Sequence, residues 1–352
     1  MKLEREQQLI VAGVVLGLAA LLLTFMGNPA NMGFCIACFL RDTSGSLGFH
    51  SAVKVQYIRP EIIGLVLGAF LISFAKKDFK VRGGSSPVQR FFLSIFMMIG
   101  ALVFLGCPVR MLLRIGGGDL NAIIGLVGFA VGIFIGIKFL EKGFSLKRQY
   151  TLSTAEGAVF PAVTFGLLLL LLFAPSFIKF STEGPGAMHA PWLISLVGGL
   201  IVGAVCQRTR FCTAGGIRDT IMFKKVGYGA GLIAVVVTVI IGNIVLKSFN
   251  LGFEGQPIAH TDGLGNFLGM VLVGWGAVLL GGCPLRQVAL SGEGNVDSVV
   301  VILGLLVGAG IAHNFGLASS GQRVTTNGMI AVAIGLIFTL IVSFGNLYST
   351  EE

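Results

Sequence analysis

Long apolar segments alternate with short polar loops along most of the 352-residue chain. A helix needs about 20 apolar residues to cross a bilayer, and most of the segments reach or approach that length. The shorter ones end at Gly-Cys-Pro or lead into Phe-Cys, which indicates broken helices. The pattern predicts an all-α polytopic membrane protein with about nine to ten transmembrane helices plus short broken or re-entrant helices. The apolar segments are residues 9–26, 61–75, 91–106, 121–140, 157–177, 191–206, 226–246, 267–282, 298–315 and 329–346.

The amino-acid composition favours a membrane over an aqueous environment. Hydrophobic residues make up 55% of the chain and charged residues 12%, with a mean hydropathy of +0.91, whereas a soluble domain has about 25% charged residues. The net charge of +9 is also typical of nucleic-acid binding, but here the basic residues cluster in a few short loops. We therefore predict contact with membrane lipid and none with nucleic acid. The first segment follows Lys2 and Arg5 without a clear cleavage site, so it is predicted to be a retained helix.

The distribution of basic residues predicts how the chain is oriented. Basic residues cluster in loops 76–90, 142–148 and 208–225, while stretches 44–60, 178–190 and 247–266 have few of them. Cytoplasmic loops of membrane proteins carry an excess of Lys and Arg. The three basic loops are therefore predicted to be cytoplasmic and the other three stretches external.

Two motifs recur at nearly the same offset along the chain. Phe34–Thr43 and Phe211–Thr220 are identical at six of ten positions and lie 177 residues apart, and the two Gly-Cys-Pro-x-Arg motifs lie 176 apart. We predict a first repeat half at 1–150, a connecting transmembrane helix and outer loop at 151–190, and a second half at 191–352. Since the connecting helix adds one crossing, the second half is predicted to be inverted, as in many transporters. The glycine pairs 116/292, 118/294, 128/304 and 132/308 continue the repeat.

The Gly-Cys-Pro-x-Arg motifs combine a helix break with a buried charge. Pro is favoured in the first turn of a helix, so each motif predicts a break followed by a half-helix whose N-terminus suits an anion. An Arg within a membrane span costs about 2.5–3.5 kcal/mol on insertion scales, so its presence in both halves suggests a purpose. The alternative is that each Arg pairs with carboxylates or carbonyl groups. The motif residues are Gly106, Cys107, Pro108 and Arg110 in the first half, and Gly282, Cys283, Pro284 and Arg286 in the second.

Cysteines occupy equivalent positions in both motifs of both halves. A buried thiol is a weak donor with a polarizable sulphur, which can contact a soft anion without holding it tightly. The alternative is that each Cys packs as a small apolar residue. We predict a substrate path of Cys35, Cys107, Cys283 and Cys212 with Arg110 and Arg286. The pairs Arg41-Asp42 and Arg218-Asp219 are predicted to cap or clamp short hairpins.

Two other chemistries fit parts of the pattern less well. Cys35-x-x-Cys38 matches a redox motif, but Gly215 replaces the second Cys in the other half. The four histidines are scattered without ligand spacing, so we predict no metal and no cofactor. We accordingly predict a transporter and not an enzyme.

The repeated Phe-Cys and Gly-Cys-Pro motifs resemble those of the YeeE/YedE sulphur-transport family. Stretches 27–35, 255–263 and 312–320 resemble its selenium-associated YedE branch. The resemblance implies an importer in the bacterial inner membrane, in which the thiosulphate branch passes its substrate along cysteines that correspond to Cys35, Cys107 and Cys283. It also implies a possible partner, a small cytoplasmic sulphur-carrier protein.

Three functions follow from these observations. The first is import of a small selenium- or sulphur-containing anion along cysteine thiols near the membrane midplane. The second is a thiosulphate uptake permease of the same family. The third, from a different class, is a membrane thiol–disulphide oxidoreductase that uses Cys35 and Cys38.

Overall fold

The computed structural model describes residues 4–347, and the regular secondary structure of these residues is almost entirely helical. The helices are α1 (Arg5–Phe25), α2 (Ile36–Ser46), α3 (Pro60–Ala75), α4 (Pro87–Phe104), α5 (Pro108–Gly116), α6 (Leu120–Glu141), α7 (Thr154–Phe173), α8 (Trp192–Thr209), α9 (Thr213–Phe223), α10 (Ala230–Val245), α11 (Gly263–Leu279), α12 (Pro284–Gly292), α13 (Val296–Asn314) and α14 (Thr326–Gly345). A 3-10 helix covers Val226–Tyr228, and the two-residue strands β1 (Arg82–Gly83) and β2 (Tyr150–Thr151) pair antiparallel.

Each of the ten apolar segments predicted from sequence corresponds to one long helix, which confirms the all-α polytopic membrane fold. Within residues 4–347, eight segments are long and apolar enough to cross a membrane, and three of these also include a short second helix. The apolar helices α3 and α10 have 16 residues each. Their rise of about 24 Å is a little short of the roughly 30 Å hydrocarbon thickness.

The predicted helix breaks lie at both Gly-Cys-Pro motifs. Helix α4 ends at Phe104, Leu105 takes a left-handed conformation with φ 65°, and α5 begins at Pro108. In the second half α11 ends at Leu279 and α12 begins at Pro284. Irregular backbone within a membrane is tolerated where protein covers it, and the residues of both breaks are buried except Gly281.

The three basic loops gather on one side of the molecule, which we call the basic face. Arg208 forms an ion pair of 2.8 Å with Asp78, which joins loops 208–225 and 76–90. The pairing of Arg82 with Thr151 brings the chain that follows loop 142–148 to the same place. The charge pattern therefore grouped these loops correctly, while their location in the cytoplasm remains a prediction.

The loops with few basic residues lie on the other side, which we call the opposite face. Lys179 N donates to Ser46 O at 3.0 Å, which joins stretches 178–190 and 44–60. Asn314 Nδ2 donates to Phe49 O at 2.9 Å and brings the end of α13 there. A Cβ placed on Gly321 would lie 3.4 Å from Ile258, so stretch 247–266 belongs to the same face.

Helices of one half pack against helices of the other half through equivalent contacts. A Cβ placed on Gly128 of α6 would overlap the carbonyl oxygen of Phe267 in α11. A Cβ on Gly304 of α13 would overlap the carbonyl oxygen of Phe91 in α4, and both partners are displaced by 176 residues. Such reciprocity, in which residue i contacts j and the equivalent of j contacts the equivalent of i, is the signature of a two-fold relation.

Helices α3 and α8 form a second tight pair. Added Cβ atoms on Gly64 and Gly199 would overlap the carbonyl oxygens of Leu196 and Glu61, respectively. Small residues let helix backbones approach closely in membranes, where packing replaces the hydrophobic drive between helices. The equivalent helices α10 and α1 pack in the same way through Gly231.

The order of elements repeats after α7. Helices α1 to α7 comprise five long and two short helices, and α8 to α14 repeat that order. Helix α1 starts at the basic face. Because five long helices cross the protein before α8, α8 starts at the opposite face. Helix α14 therefore stands in the second series where α7 stands in the first. The boundaries 1–150, 151–190 and 191–352 remain a prediction, and residues 1–3 and 348–352 lie outside the described part of the chain.

Candidate functional site

Four cysteines stand at the N-caps of the four short helices. Cys35 and Cys107 precede α2 and α5, while Cys212 and Cys283 precede α9 and α12. Pro108 and Pro284 occupy the first turns of α5 and α12, as the sequence predicted. Each N-terminus presents backbone N–H groups that no carbonyl of its own helix satisfies, together with the positive end of the helix dipole.

The N-termini of α2 and α5 meet at a cluster that we call the first thiol site, consisting of Cys35, Cys38 and Cys107. Cys35 Sγ lies 2.9 Å from Cys38 Sγ and accepts a hydrogen bond from Cys38 N at 3.4 Å. Cys107 lies close enough to Cys35 for their side chains to interact. All three thiols are fully buried and free of disulphide bonds.

The N-termini of α9 and α12 meet in the same way at the second thiol site, which consists of Cys212 and Cys283. Their sulphur atoms are 3.5 Å apart, and Cys283 N donates to Cys212 Sγ at 3.4 Å. Cys212 is partly exposed and Cys283 is buried. The fold therefore groups the four predicted path cysteines into two equivalent pairs, one in each half.

The two motif arginines differ in their partners. Arg110 is fully buried and donates to the carbonyl oxygens of Leu105 and Ile258, the latter at 3.0 Å. It also lies 3.5 Å from Cys38 Sγ. Arg286 instead forms an ion pair of 2.6 Å with Glu293. The alternative weighed from sequence, pairing with carbonyls or carboxylates, describes both side chains in this structure.

The Arg-Asp pairs lie in the re-entrant hairpins. Arg41 contacts Asp42 at 2.7 Å, and Arg59 reaches the same carboxylate from the start of α3, also at 2.7 Å. Arg59 in turn donates to the carbonyl of Pro185, which ties α2 to the loop before α8. The equivalent pair, Arg218 with Asp219 at 2.8 Å, is partly exposed and has no second arginine among the described residues. The role of these pairs as clamps remains a prediction.

A cavity of about 300 Å³ leads from the basic face to the second thiol site. Four arginines line it, and its wall includes Cys212, Gly282 and Asp219. Since this lining carries more positive than negative charge, the cavity attracts small anions. The arginines are Arg5, Arg210, Arg218 and Arg286.

Loops of the opposite face cover the first thiol site. The Ile258 carbonyl contacts Arg110, His260 Nε2 is 2.8 Å from the Val103 carbonyl oxygen, and Ser319 N donates to Leu102 O at 3.2 Å. These contacts place stretches 247–266 and 315–325 over the break between α4 and α5. One site therefore faces a cavity while its equivalent lies under a cover.

Sequence reasoning missed several residues around the sites. Glu293 follows the last residue of α12, and Gly117 stands at its equivalent position in the first half. Alignment of the two repeats could therefore have shown that only the second half has a carboxylate at this position. Arg114 and Asp119 form a fully buried pair at 2.7 Å that could be found only as charges within an apolar stretch. Among residues 4–347 no group of three or more His, Cys, Asp or Glu could hold a metal ion.

The paired thiol sites have the chemistry to bind a small anion reversibly. Backbone N–H groups at two converging helix N-termini and nearby guanidinium groups favour negative charge. The thiols add polarizable contacts and weak donors without a further fixed charge. One such site lies in each half of the chain.

The fold and these sites define a multi-pass α-helical membrane protein with paired re-entrant helices. Residues 208–347, which include the second thiol site and α9 to α14, match a family model described as Sulphur transport. The chain is similar to the thiosulfate transporter TsuA of Escherichia coli (strain K12), with 30% identity over 143 residues. That alignment covers 40% of this chain and 40% of the length of the curated relative.

Proposed function

We propose that this protein is an inner-membrane transporter or channel that imports a small sulphur- or selenium-containing anion into a bacterium. The observation that carries the proposal is the convergence of four N-cap cysteines, in two equivalent pairs, at the N-termini of short helices inside a membrane fold. The match to a sulphur-transport family and the similarity to a thiosulfate transporter support a sulphur anion.

In the proposed path the anion passes from one thiol site to the other. It enters at the opposite face, contacts Cys35 and Cys107, moves to Cys283 and Cys212, and leaves through the cavity at the basic face. Each thiol contacts the anion through a weak S–H donor, so no covalent bond forms or breaks. The helix N-termini stabilise the negative charge at both stops.

The choice between sulphur and selenium rests on different observations. Thiosulphate is supported by the named relative. Selenium is supported by the resemblance of stretches 27–35, 255–263 and 312–320 to the selenium-associated branch. Both kinds of anion have large, polarizable atoms that suit a thiol-lined path.

Uptake by proteoliposomes tests the proposal directly. The purified protein is reconstituted, and entry of radiolabelled thiosulphate and selenite is measured alone and in competition. We expect saturable uptake of at least one of them, with competition if both use the path. Empty liposomes are the control, and the Cys107→Ser/Cys283→Ser double variant should be inactive. Equal uptake by empty liposomes and protein-containing liposomes would overturn the proposal.

A thiol–disulphide oxidoreductase remains the second candidate, and the 2.9 Å separation of Cys35 Sγ and Cys38 Sγ favours it. The two functions make opposite demands on Cys38 and Cys107. An oxidoreductase needs Cys38 and tolerates Cys107→Ser, whereas the anion path needs Cys107. Uptake and disulphide-exchange assays on both single variants separate the two.

The basic face is where we propose that a small cytoplasmic sulphur-carrier protein docks. The cavity that opens there reaches Cys212, so the emerging anion could be received directly. Cross-linking from a reagent placed on Cys212 should capture such a carrier in cells. Absence of any cross-linked product in cells that import the anion would argue for direct release.

A further inference from the structure

The two thiol sites have the same helical plan, but their motif arginines are paired differently. Arg110 and Arg286 each stand three residues after the Cys at the helix N-cap. Arg286 is neutralised by Glu293 at 2.6 Å. Arg110 has no ion pair with any carboxylate among residues 4–347, and the position equivalent to Glu293 is Gly117.

Arg110 is also incompletely hydrogen-bonded. Its side chain is fully buried and its terminal nitrogens reach the carbonyls of Leu105 and Ile258. Its Nε has no partner in the described part of the chain. A buried charge without a counter-charge is strongly disfavoured unless something compensates it. Because this guanidinium lies 3.5 Å from Cys38 Sγ, beside two helix N-termini, a bound anion would supply the missing counter-charge.

The Ile258 carbonyl occupies a position that an anion could take. Ile258 has φ 49°, a left-handed conformation that is a genuine outlier for a β-branched residue. It lies in the 247–266 stretch, which covers the first thiol site. An anion that contacts Arg110 would replace a neutral acceptor with a charged one, and a hydrogen bond to a charged acceptor is stronger.

Glu293 has the reverse effect at the second thiol site. It lies at the end of α12, partly buried, with its carboxylate against the guanidinium that lines the cavity beside Cys212. A carboxylate there repels an incoming anion and competes for Arg286. The other arginines of the cavity still attract an anion towards the basic face, but the Arg286–Glu293 pair itself carries no net charge.

We infer that Arg110 makes the first thiol site the selective, high-affinity anion site, and that Glu293 makes the second thiol site a low-affinity position from which the anion is released. This inference rests on the proposed function. It assigns to the two halves unequal roles that their repeated motifs do not reveal.

The test uses the full-length protein in nanodiscs and proteoliposomes with thiosulphate as the probe. Glu293→Gln keeps the shape of the side chain and removes its charge. We expect it to add tight binding at the second site, with affinity there increased by the order of tenfold, and to slow maximal uptake several-fold because release is slower. Glu141→Gln, an exposed change with the same loss of charge, is the matched control and should leave both values unchanged.

A second pair of variants examines Arg110. Arg110→Met should lower affinity at the first site by tenfold or more, and Arg110→Lys should retain part of it, with folding checked by size-exclusion chromatography. If Arg110→Met does not fold, Glu293→Gln and Arg110→Lys still decide the matter. If the wild-type protein transports the anion but Glu293→Gln behaves like Glu141→Gln, this inference is overturned and the proposed function is not. Absence of thiosulphate and selenite transport by the wild-type protein would overturn the proposed function as well.

Discussion

The two thiol sites share a backbone design and differ in their surroundings. In the first, three buried thiols lie under stretches 247–266 and 315–325, beside an arginine that has no carboxylate partner within residues 4–347. In the second, two thiols border a cavity of about 300 Å³, and their arginine is paired with Glu293. A duplicated sequence can thus give each half the same helices while a few unshared residues set access and charge. The predictions below test this difference.

The largest expected effect is on accessibility. Cys212 is partly exposed at the cavity, whereas Cys35 and its neighbours are buried. A charged, membrane-impermeant thiol reagent should therefore label Cys212 from the basic face and leave Cys35 unlabelled. Mass spectrometry of labelled inside-out and right-side-out vesicles measures this, with Cys212→Ser as the control. Neither loop 76–90 nor loop 247–266 contains a native cysteine. The same reagent applied to variants with a single cysteine introduced into each loop should find loop 76–90 cytoplasmic and loop 247–266 periplasmic. Labelling of both loops from one side would refute the assignment of faces.

Backbone contact at the ends of α5 and α12 should tolerate no large side chain. A Cβ on Gly292 would overlap the Val66 carbonyl oxygen, and one on Gly116 would lie 2.6 Å from Val239. We expect Gly116→Leu and Gly292→Leu to abolish uptake while the protein still inserts, at a cost of about 1–3 kcal/mol or more in stability. Gly166→Leu is the control, because nothing lies within 4 Å of its Cβ. Normal uptake by well-expressed variants would show that the two helix ends are passive.

Replacing Cys107 or Cys283, the thiols at the two helix breaks, should reduce uptake to a similar extent. Serine is smaller, harder and better hydrated than cysteine. Cys107→Ser and Cys283→Ser should therefore each reduce uptake strongly, on the order of tenfold for the loss of one weak contact. Cys206→Ser is the matched control, since Cys206 is buried in α8 and caps no helix. Near wild-type rates in both variants would leave these residues as packing thiols. The readout is uptake per folded molecule.

The smallest expected effect is that of Arg286, which is paired with Glu293, and it is measured against substitutions of Arg110. Arg110→Ala should reduce uptake more than Arg110→Lys if charge, and not the fork geometry of the guanidinium, holds the anion. The double variant Arg286→Met/Glu293→Gln removes a pair with no net charge and should change uptake less than Arg110→Ala does. Initial rates over a range of thiosulphate concentrations provide the comparison. A double variant as defective as Arg110→Ala would mean that Arg286 binds the anion despite Glu293.

Most of the helices could be predicted because the signals are local. The ten apolar segments, the prolines after each break and the repeated Phe-Cys motif all act over a few residues. The equivalence of Cys35 with Cys212 and of Cys107 with Cys283 followed from the constant offset, and the structure does bring each half's two cysteines together. The role of these residues as a substrate path remains a prediction.

The surroundings of the sites could not be predicted because they depend on residues far apart in the chain. The Ile258 carbonyl that contacts Arg110 lies 148 residues away, and nothing in the 247–266 stretch marks it as a cover. Arg59 and Asp42 are 17 residues apart and meet only after α2 has turned back. Which motif Arg has a carboxylate partner depends instead on a local difference, because Glu293 lies seven residues after Arg286 and Gly117 takes its place after Arg110.

The glycine-mediated contact between α3 and α8 has a mechanical consequence. Where backbones touch, one helix cannot slide or roll over the other without atoms colliding, and the α1–α10 pair is equally close. The α3–α8 and α1–α10 pairs are therefore rigid units, and we expect any opening to come from the loops that cover the first thiol site. We expect such a protein to open and close locally, as a gated pore does. More than one anion could then pass in each opening, whereas a carrier that rocks as a whole transfers one in each cycle.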